Sequence, residues 1–279
     1  MEAAITFPCR GDTLVGILHY GDQTQDDLGV LIIVGGPQYR VGSHRQFVLM
    51  ARRWSAAGFP VMRFDSRGMG DSSGSPRTFE SLDDDIRSAV DAMLEALPRV
   101  RRVVLFGLCD AASAALMYCT SDPRIAGLIL ANPWVRTPEG RDRSFVRHYY
   151  GVRLLQRSFW NKLLAGEVDA MGSMREFVRS SLRSLRAGRN HRGNFISRML
   201  HGLTGFPGPV LFQIAEIDLT GLEFVDLCRS DSKWADAAKR PGVSTTFIQG
   251  ADHTFSSRAS MEEAATAGLA WLRSIVAPQ

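Results

Sequence analysis

Along the chain the apolar positions change period several times, and these changes lay out the elements. Two apolar runs, about Ala3 to Pro8 and Thr13 to Tyr20, flank the turn pair Gly11-Asp12, which predicts an antiparallel hairpin. After a polar loop around Gln23 to Asp27, Val30-Leu31-Ile32-Ile33-Val34 is apolar at every position. A continuous run of that kind belongs to a central strand covered on both faces. From His44 to Ala57 the period becomes helical, with Phe47, Met50, Ala51 and Trp54 on one face and Gly58 as the stop.

The alternation then repeats. A strand at Val61 to Phe64 precedes a helix near Ser81 to Leu97, a strand at Val103 to Phe106, a small-residue helix from about Ala111 to Tyr118, and a strand at Ile125 to Leu130. After an interruption come a strand at Pro209 to Ile214, a helix around Leu222 to Ala237, a strand at Val243 to Ile248 and a last helix from about Ser257 to Ile275. Strands separated by helices predict an α/β domain whose eight-stranded sheet is mostly parallel, with helices on both faces. Ligands of such sheets sit at the carboxyl ends of the strands.

The interruption divides the chain into a core, residues 1–134 and 205–279, and an insertion, residues 135–204. The insertion is helical in character and bracketed by Pro133 and Pro138 on one side and Gly202-Leu203-Thr204-Gly205-Phe206-Pro207 on the other, as expected of a lid. Charge separates it further. The whole chain carries +4, yet Arg136 to Leu200 holds 14 Lys or Arg against 5 Asp or Glu, an excess of +9 that leaves −5 elsewhere. Arg175, Arg179, Arg183 and Arg186 share one helix face there. As a solvated face this row keeps the insertion soluble; as a binding face it draws an anionic acyl substrate or carrier.

Composition excludes several classes. With 45% apolar residues and no repeat or low-complexity tract, the chain predicts a folded globule. Nothing approaches the 18 apolar residues of a membrane span, and Met1-Glu2-Ala3-Ala4-Ile5 does not match a secretory leader, so a cytoplasmic protein is expected. Cys9, Cys109, Cys119 and Cys228 have no metal spacing and predict mostly buried free thiols; neither metal nor cofactor is expected. The basic excess is confined to one insertion without interleaved aromatics, which argues against nucleic acid as partner.

The chemistry centres on Val103-Val104-Leu105-Phe106-Gly107-Leu108-Cys109-Asp110-Ala111-Ala112-Ser113. An apolar strand, a nucleophilic side chain and a small-residue helix reproduce the elbow G-x-S-x-G, with Cys109 for Ser and Ala111 for the last Gly. Small residues two positions either side are required because strand and helix backbones approach closely at this turn. A thiol at a helix N-terminus beside an imidazole reaches the thiolate more readily than a free one.

His253, in Gln249-Gly250-Ala251-Asp252-His253 just past the last strand, is placed as general base. His19 fills a strand, His44 opens a helix, and His148, His191 and His201 fall in the insertion. The order nucleophile, acid, histidine puts the acid after the preceding strand, where Glu216 and Asp218 both stand. Asp218 is favoured because it lies further into the loop; Asp226 is a weaker option. The backbone N-H of Asp110 is one expected oxyanion donor. Pro37 has no N-H, so Gln38 is expected as the second. Gly36, Tyr39 and Arg40 of the same loop are expected to touch substrate.

Three segments carry a resemblance. Through Arg63-Phe64-Asp65-Ser66-Arg67-Gly68-Met69-Gly70-Asp71-Ser72-Ser73-Gly74, the Cys109 elbow and Ala251-Asp252-His253, the chain resembles the α/β-hydrolase superfamily over nearly its whole length. Through Gly35-Gly36-Pro37-Gln38-Tyr39-Arg40-Val41-Gly42-Ser43-His44 and the elbow it resembles more narrowly the exosortase A system-associated hydrolases, type 1. That likeness implies a bacterial locus for exopolysaccharide production and surface-protein sorting. The reaction expected is hydrolysis of an ester or thioester on a small-molecule or carrier-linked acyl substrate. An acyltransferase with the same triad and a catalytically silent binding protein of the same fold are the alternatives.

Overall fold

Eight strands form one sheet: β1 (Glu2–Cys9), β2 (Asp12–His19), β3 (Leu28–Ile33), β4 (Val61–Asp65), β5 (Arg102–Leu108), β6 (Ile125–Ala131), β7 (Val210–Ala215) and β8 (Val243–Ile248). They are seen in a computed structural model that describes residues 1–21, 27–36, 38–135 and 194–276. The order is β1-β2-β4-β3-β5-β6-β7-β8. β1 and β2 pair antiparallel, as do β2 and β4; every later pair is parallel. The expected hairpin and parallel sheet are both present.

The α-helices among the described residues are α1 (Gln46–Ala56), α2 (Asp83–Ala96), α3 (Asp110–Tyr118), α4 (Asn194–Gly205), α5 (Leu219–Ser230), α6 (Ser232–Lys239) and α7 (Arg258–Val276). α1 and α7 meet on one face of the sheet, and α2 and α3 meet on the other. β3 is buried at every position, as a strand sandwiched between helices must be. Under α1 and α7 the core centres on Trp54, which stacks edge-on against Phe106 at 5.6 Å and donates its indole N-H to the Ala265 carbonyl at 2.9 Å. A buried indole needs such a partner.

Two elements differ from the periodicity. α1 begins at Gln46 because His44 and Arg45 are left-handed, with φ of 53° and 62°. The helix expected over Leu222 to Ala237 is broken at Asp231, which is extended and caps α6 by accepting the N-H groups of Lys233 at 2.9 Å and Trp234 at 3.2 Å. Asp competes with a continuing helix in this way, and its gain is the N-cap.

The chain divides into two compact units, Met1–Trp134 with Ser197–Gln279, and Val135–Ile196. The second boundary precedes Thr204, the end expected from the Gly- and Pro-rich run. Within the first unit Met199 and Leu203 of α4 are buried, and Gly202 lies so close that an added Cβ would stand 1.7 Å from the Leu116 carbonyl oxygen. Arg175, Arg179, Arg183, Arg186, His148 and His191 lie outside the described residues. Among the described residues, no helix is long and apolar enough to cross a membrane.

The loop after β4 is a polar knot that supports the site. The carboxylate of Asp65, fully buried, accepts the backbone N-H of Arg40 at 2.6 Å and of Asp71 at 3.0 Å, and pairs with the Arg40 guanidinium. Gly70, at φ 52°, presses its Cα against that carboxylate, where an added Cβ would lie 2.2 Å from Oδ2. Behind it the buried Arg67 fork takes Asp85 of α2 by Nη2 at 2.7 Å, with the Arg67 N-H donating to the same carboxylate at 2.8 Å. Removing one partner of a buried pair leaves the other charge uncompensated. Asp85→Ala is therefore expected to cost about 3–5 kcal/mol in urea unfolding; a loss below about 1 kcal/mol, the range of exposed pairs, would contradict it.

Candidate active site

The elbow is built by a close approach. β5 runs into α3 with Gly107 so near the helix that an added Cβ would lie 2.5 Å from the Ala111 carbonyl oxygen. No larger residue fits at position 107. The chain turns at Cys109, whose φ of 63° and ψ of −123° are strained for a residue with a Cβ. The turn is held from β6: the Cys109 N-H donates to the Ala131 carbonyl at 2.9 Å, and the Trp134 N-H donates to the Cys109 carbonyl at 3.2 Å. The Ser113 hydroxyl adds a bond to the Trp134 carbonyl at 2.7 Å.

His253 meets this turn from the far edge of the sheet. Its Nδ1 stands 2.8 Å from Asp218 Oδ2, which leaves Nε2 for the Cys109 thiol that lines the same cavity. The imidazole is pushed up to about 10, first by the Asp218 hydrogen bond and then by that to Cys109, against burial. Asp218 is itself fixed as the N-cap of α5, accepting the N-H groups of Thr220 at 3.2 Å and Gly221 at 3.0 Å.

Glu216, the other acid after β7, has a different task. Its carboxylate accepts the Gly250 N-H at 2.8 Å, and Gly250 sits at φ 58° in the turn leading to His253. With the Ile217 N-H on the Ala251 carbonyl at 3.1 Å, the acid loop and the histidine loop are clasped together. Asp226 falls within α5.

A cavity of about 380 Å³ opens over Cys109 and His253, and Gly35, Gly36, Gln38, Asp110, Phe47, Phe79, Leu108 and Trp134 also line it. Of the loop residues expected to touch substrate, Gly36 lines it. Arg40 does not, because its guanidinium is spent on Asp65 and on Asp71 at 2.6 Å. Tyr39 does not line it either; it stands 49% exposed on the surface. The Gly36 N-H is occupied too, donating to Asp110 Oδ2 at 2.9 Å. Burial pushes the Asp110 carboxyl above the usual carboxylate range, while the N-H groups of Gly36, Ala111 and Asp110 and the charge of His253 hold it down.

The alpha/beta hydrolase family is matched over residues 30–268. The chain belongs to that family. A curated relative, an uncharacterized protein of Pseudomonas aeruginosa, is 29% identical over 139 residues, 48% of this chain and 37% of that protein. The chain thus matches little more than a third of that relative's length. Two solved structures illustrate the shared fold. An esterase of Pyrococcus furiosus superposes with a TM-score of 0.65 at 16% identity over 98% of this chain and 91% of its own. The proline iminopeptidase of Mycobacterium smegmatis gives 0.60 at 15% identity over 98% of each chain.

Sequence reasoning missed one residue that the family fold brings to this site. Asn132, fully buried at φ 44° after β6, donates its Nδ2-H to the His253 carbonyl at 3.1 Å and accepts the Ala215 N-H at 2.8 Å. It thereby joins the ends of β6 and β7 to the histidine loop. A polar side chain between an apolar strand and Pro133 was the available signal. Cavity walls Phe47, Phe79, Leu108 and Trp134 carried none, since apolar residues next to strand ends are ordinary core.

The direction of the His253 shift has a consequence for pH. A folded-state value raised from 6.5 to about 10 contributes stability that is fully present below 6.5 and lost as pH rises towards 10. Asp218→Asn is expected to lower the NMR titration midpoint of His253 towards its ordinary value. The deficit in melting temperature of that variant is expected to be widest below pH 6.5 and to narrow towards pH 10. An unmoved midpoint would show that Asp218 does not set the charge of this imidazole.

Proposed function

We propose that this protein hydrolyses an ester or thioester through Cys109, His253 and Asp218. One observation carries the reading: Asp218 is hydrogen-bonded to the His253 ring, and that ring lines the same cavity as a thiol held on a strained elbow and is raised by it. His253 holds the proton of the thiol-imidazole pair, and the Cys109 sulfur attacks the acyl carbonyl carbon. The developing oxyanion is met by the backbone N-H groups of Asp110 and Gln38, both on the cavity wall. Collapse breaks the bond to the leaving alcohol or thiol, which departs with the proton held by His253. An S-acyl enzyme remains. His253 then deprotonates a water that attacks the acyl carbon, and the acid leaves as the Cys109 sulfur is restored.

The apolar wall of Phe47, Phe79, Leu108 and Trp134 supports an acyl group with hydrocarbon or aromatic character. The likeness of Gly35 to His44 and of the elbow to exosortase-linked hydrolases supports a role in exopolysaccharide-linked metabolism, with an acylated saccharide or a carrier-bound acyl group as the substrate class.

Cys109→Ala is expected to abolish turnover of activated esters and thioesters while the protein still folds. Cys109→Ser is expected to keep only a small residue of activity, since a site built around a thiol deprotonates a hydroxyl poorly. Intact mass spectrometry after exposure to a panel of acyl donors is expected to show one trapped acyl group in the wild type and none in Cys109→Ala. Glu216→Gln is expected to hurt less than Asp218→Asn. Full turnover by Cys109→Ala would overturn the nucleophile; a crippled Glu216→Gln beside a healthy Asp218→Asn would overturn the acid.

A further inference from the structure

The side chain of Asp110 has no part in the reaction as written above, where only its backbone N-H serves. Yet a carboxyl group, costly to bury, lines the cavity one residue after the nucleophile. It bridges two segments far apart in sequence: Asp110 opens α3 after β5, and its Oδ2 accepts the N-H of Gly36 in the loop after β3. Contact continues at Gly35, where an added Cβ would stand 1.8 Å from Oδ1 and 2.8 Å from the Ala111 nitrogen. Gly35 is therefore a glycine because the carboxylate lies against its Cα. The same carboxylate stands in the first turn of α3, where the helix dipole favours negative charge.

This has a bearing on which donors can face an oxyanion. Pro37 has no N-H, and that of Gly36 is occupied by Asp110, which leaves Gln38 as the next donor along the loop. Its position depends on how Gly35 and Gly36 are held. The other end of the loop is already fixed, because the Arg40 N-H is bound by Asp65. Asp110 supplies the missing tie at the near end.

We propose that the Asp110 carboxylate is a positioning residue: it latches the Gly35-Gly36 turn to the nucleophile elbow and so aims the Gln38 N-H at the oxyanion formed on the Cys109 adduct. The inference rests on the hydrolytic reading of Cys109. The latch needs an acceptor oxygen rather than a charge, so an amide at this position is able to replace it in part. A misplacement of about 1 Å in an oxyanion donor lowers the rate by about a hundredfold and leaves ground-state binding nearly untouched.

The test compares Asp110→Ala, Asp110→Asn and Gly35→Ala with the wild type and with Cys109→Ala, using one activated ester, with melting temperature as a check on folding. Asp110→Ala is expected to lower kcat by about a hundredfold with little change in KM. Asp110→Asn is expected to restore most of that loss through its side-chain carbonyl. Gly35→Ala, which keeps Asp110 but drives its carboxylate off the turn, is expected to reproduce the Asp110→Ala defect and keeps the question open to test where Asp110→Ala fails to fold. An aldehyde that adds to the Cys109 sulfur to form a tetrahedral adduct is expected to lose affinity by the same factor as kcat/KM. Wild-type kcat in Asp110→Ala or in Gly35→Ala would overturn the latch, as would an Asp110→Asn no better than Asp110→Ala, or an aldehyde affinity that stays unchanged. An active Cys109→Ala would instead show that the hydrolytic reading itself had failed.

Discussion

The contact between Gly107 and the backbone of Ala111 governs the geometry of this site. Strand and helix can cross this closely only without a side chain at position 107, and the chain can reverse between them only if Cys109 takes a left-handed conformation. Such strain costs on the order of 1–3 kcal/mol and persists only where surrounding bonds over-determine it. Here those bonds come from Ala131 at the end of β6 and from Trp134 just beyond it, so the sheet and the loop that leaves it carry the strain. The reward is a thiol raised above the sheet at the N-terminus of a helix.

Everything else that converges on Cys109 comes from the carboxyl ends of parallel strands. β3 contributes the Gly35-Gly36 loop, β6 contributes Asn132, β7 contributes Glu216 and Asp218, and β8 leads to His253. Segments more than a hundred residues apart meet because the parallel register sets their strand ends side by side. Short polar clasps then fix the loops: Asn132 to His253, Glu216 to Gly250, Asp65 to Arg40. Most of them engage backbone groups, so they set where the loops run and leave Asp218 and His253 free to face each other.

Two acids of the acid loop show how role follows from path. Glu216 and Asp218 are two residues apart, yet one holds a turn and the other holds the imidazole. The difference lies in the start of α5: Asp218 is its N-cap, and the cap geometry turns its second oxygen towards His253. A similar division separates Arg40 from the cavity, because the buried Asp65 is a stronger attraction for its guanidinium than open solvent.

The sequence by itself determined the eight strands and their covering helices, since those follow from period and burial pattern, and it determined the elbow, since a Gly and an Ala flanking one Cys at that spacing suit only a tight strand-to-helix turn. It also singled out His253 from its place after the last strand. Tertiary structure decided which carboxylate faces the imidazole, that Arg40 braces a loop, that the helix after β7 breaks at Asp231, and that Asn132 and the Asp110 side chain tie the loops of the site together. The reason is the range of the forces involved. Period and backbone tolerance are written in neighbouring residues, whereas the direction of a polar side chain in a loop depends on partners that only the closed sheet brings within hydrogen-bond distance.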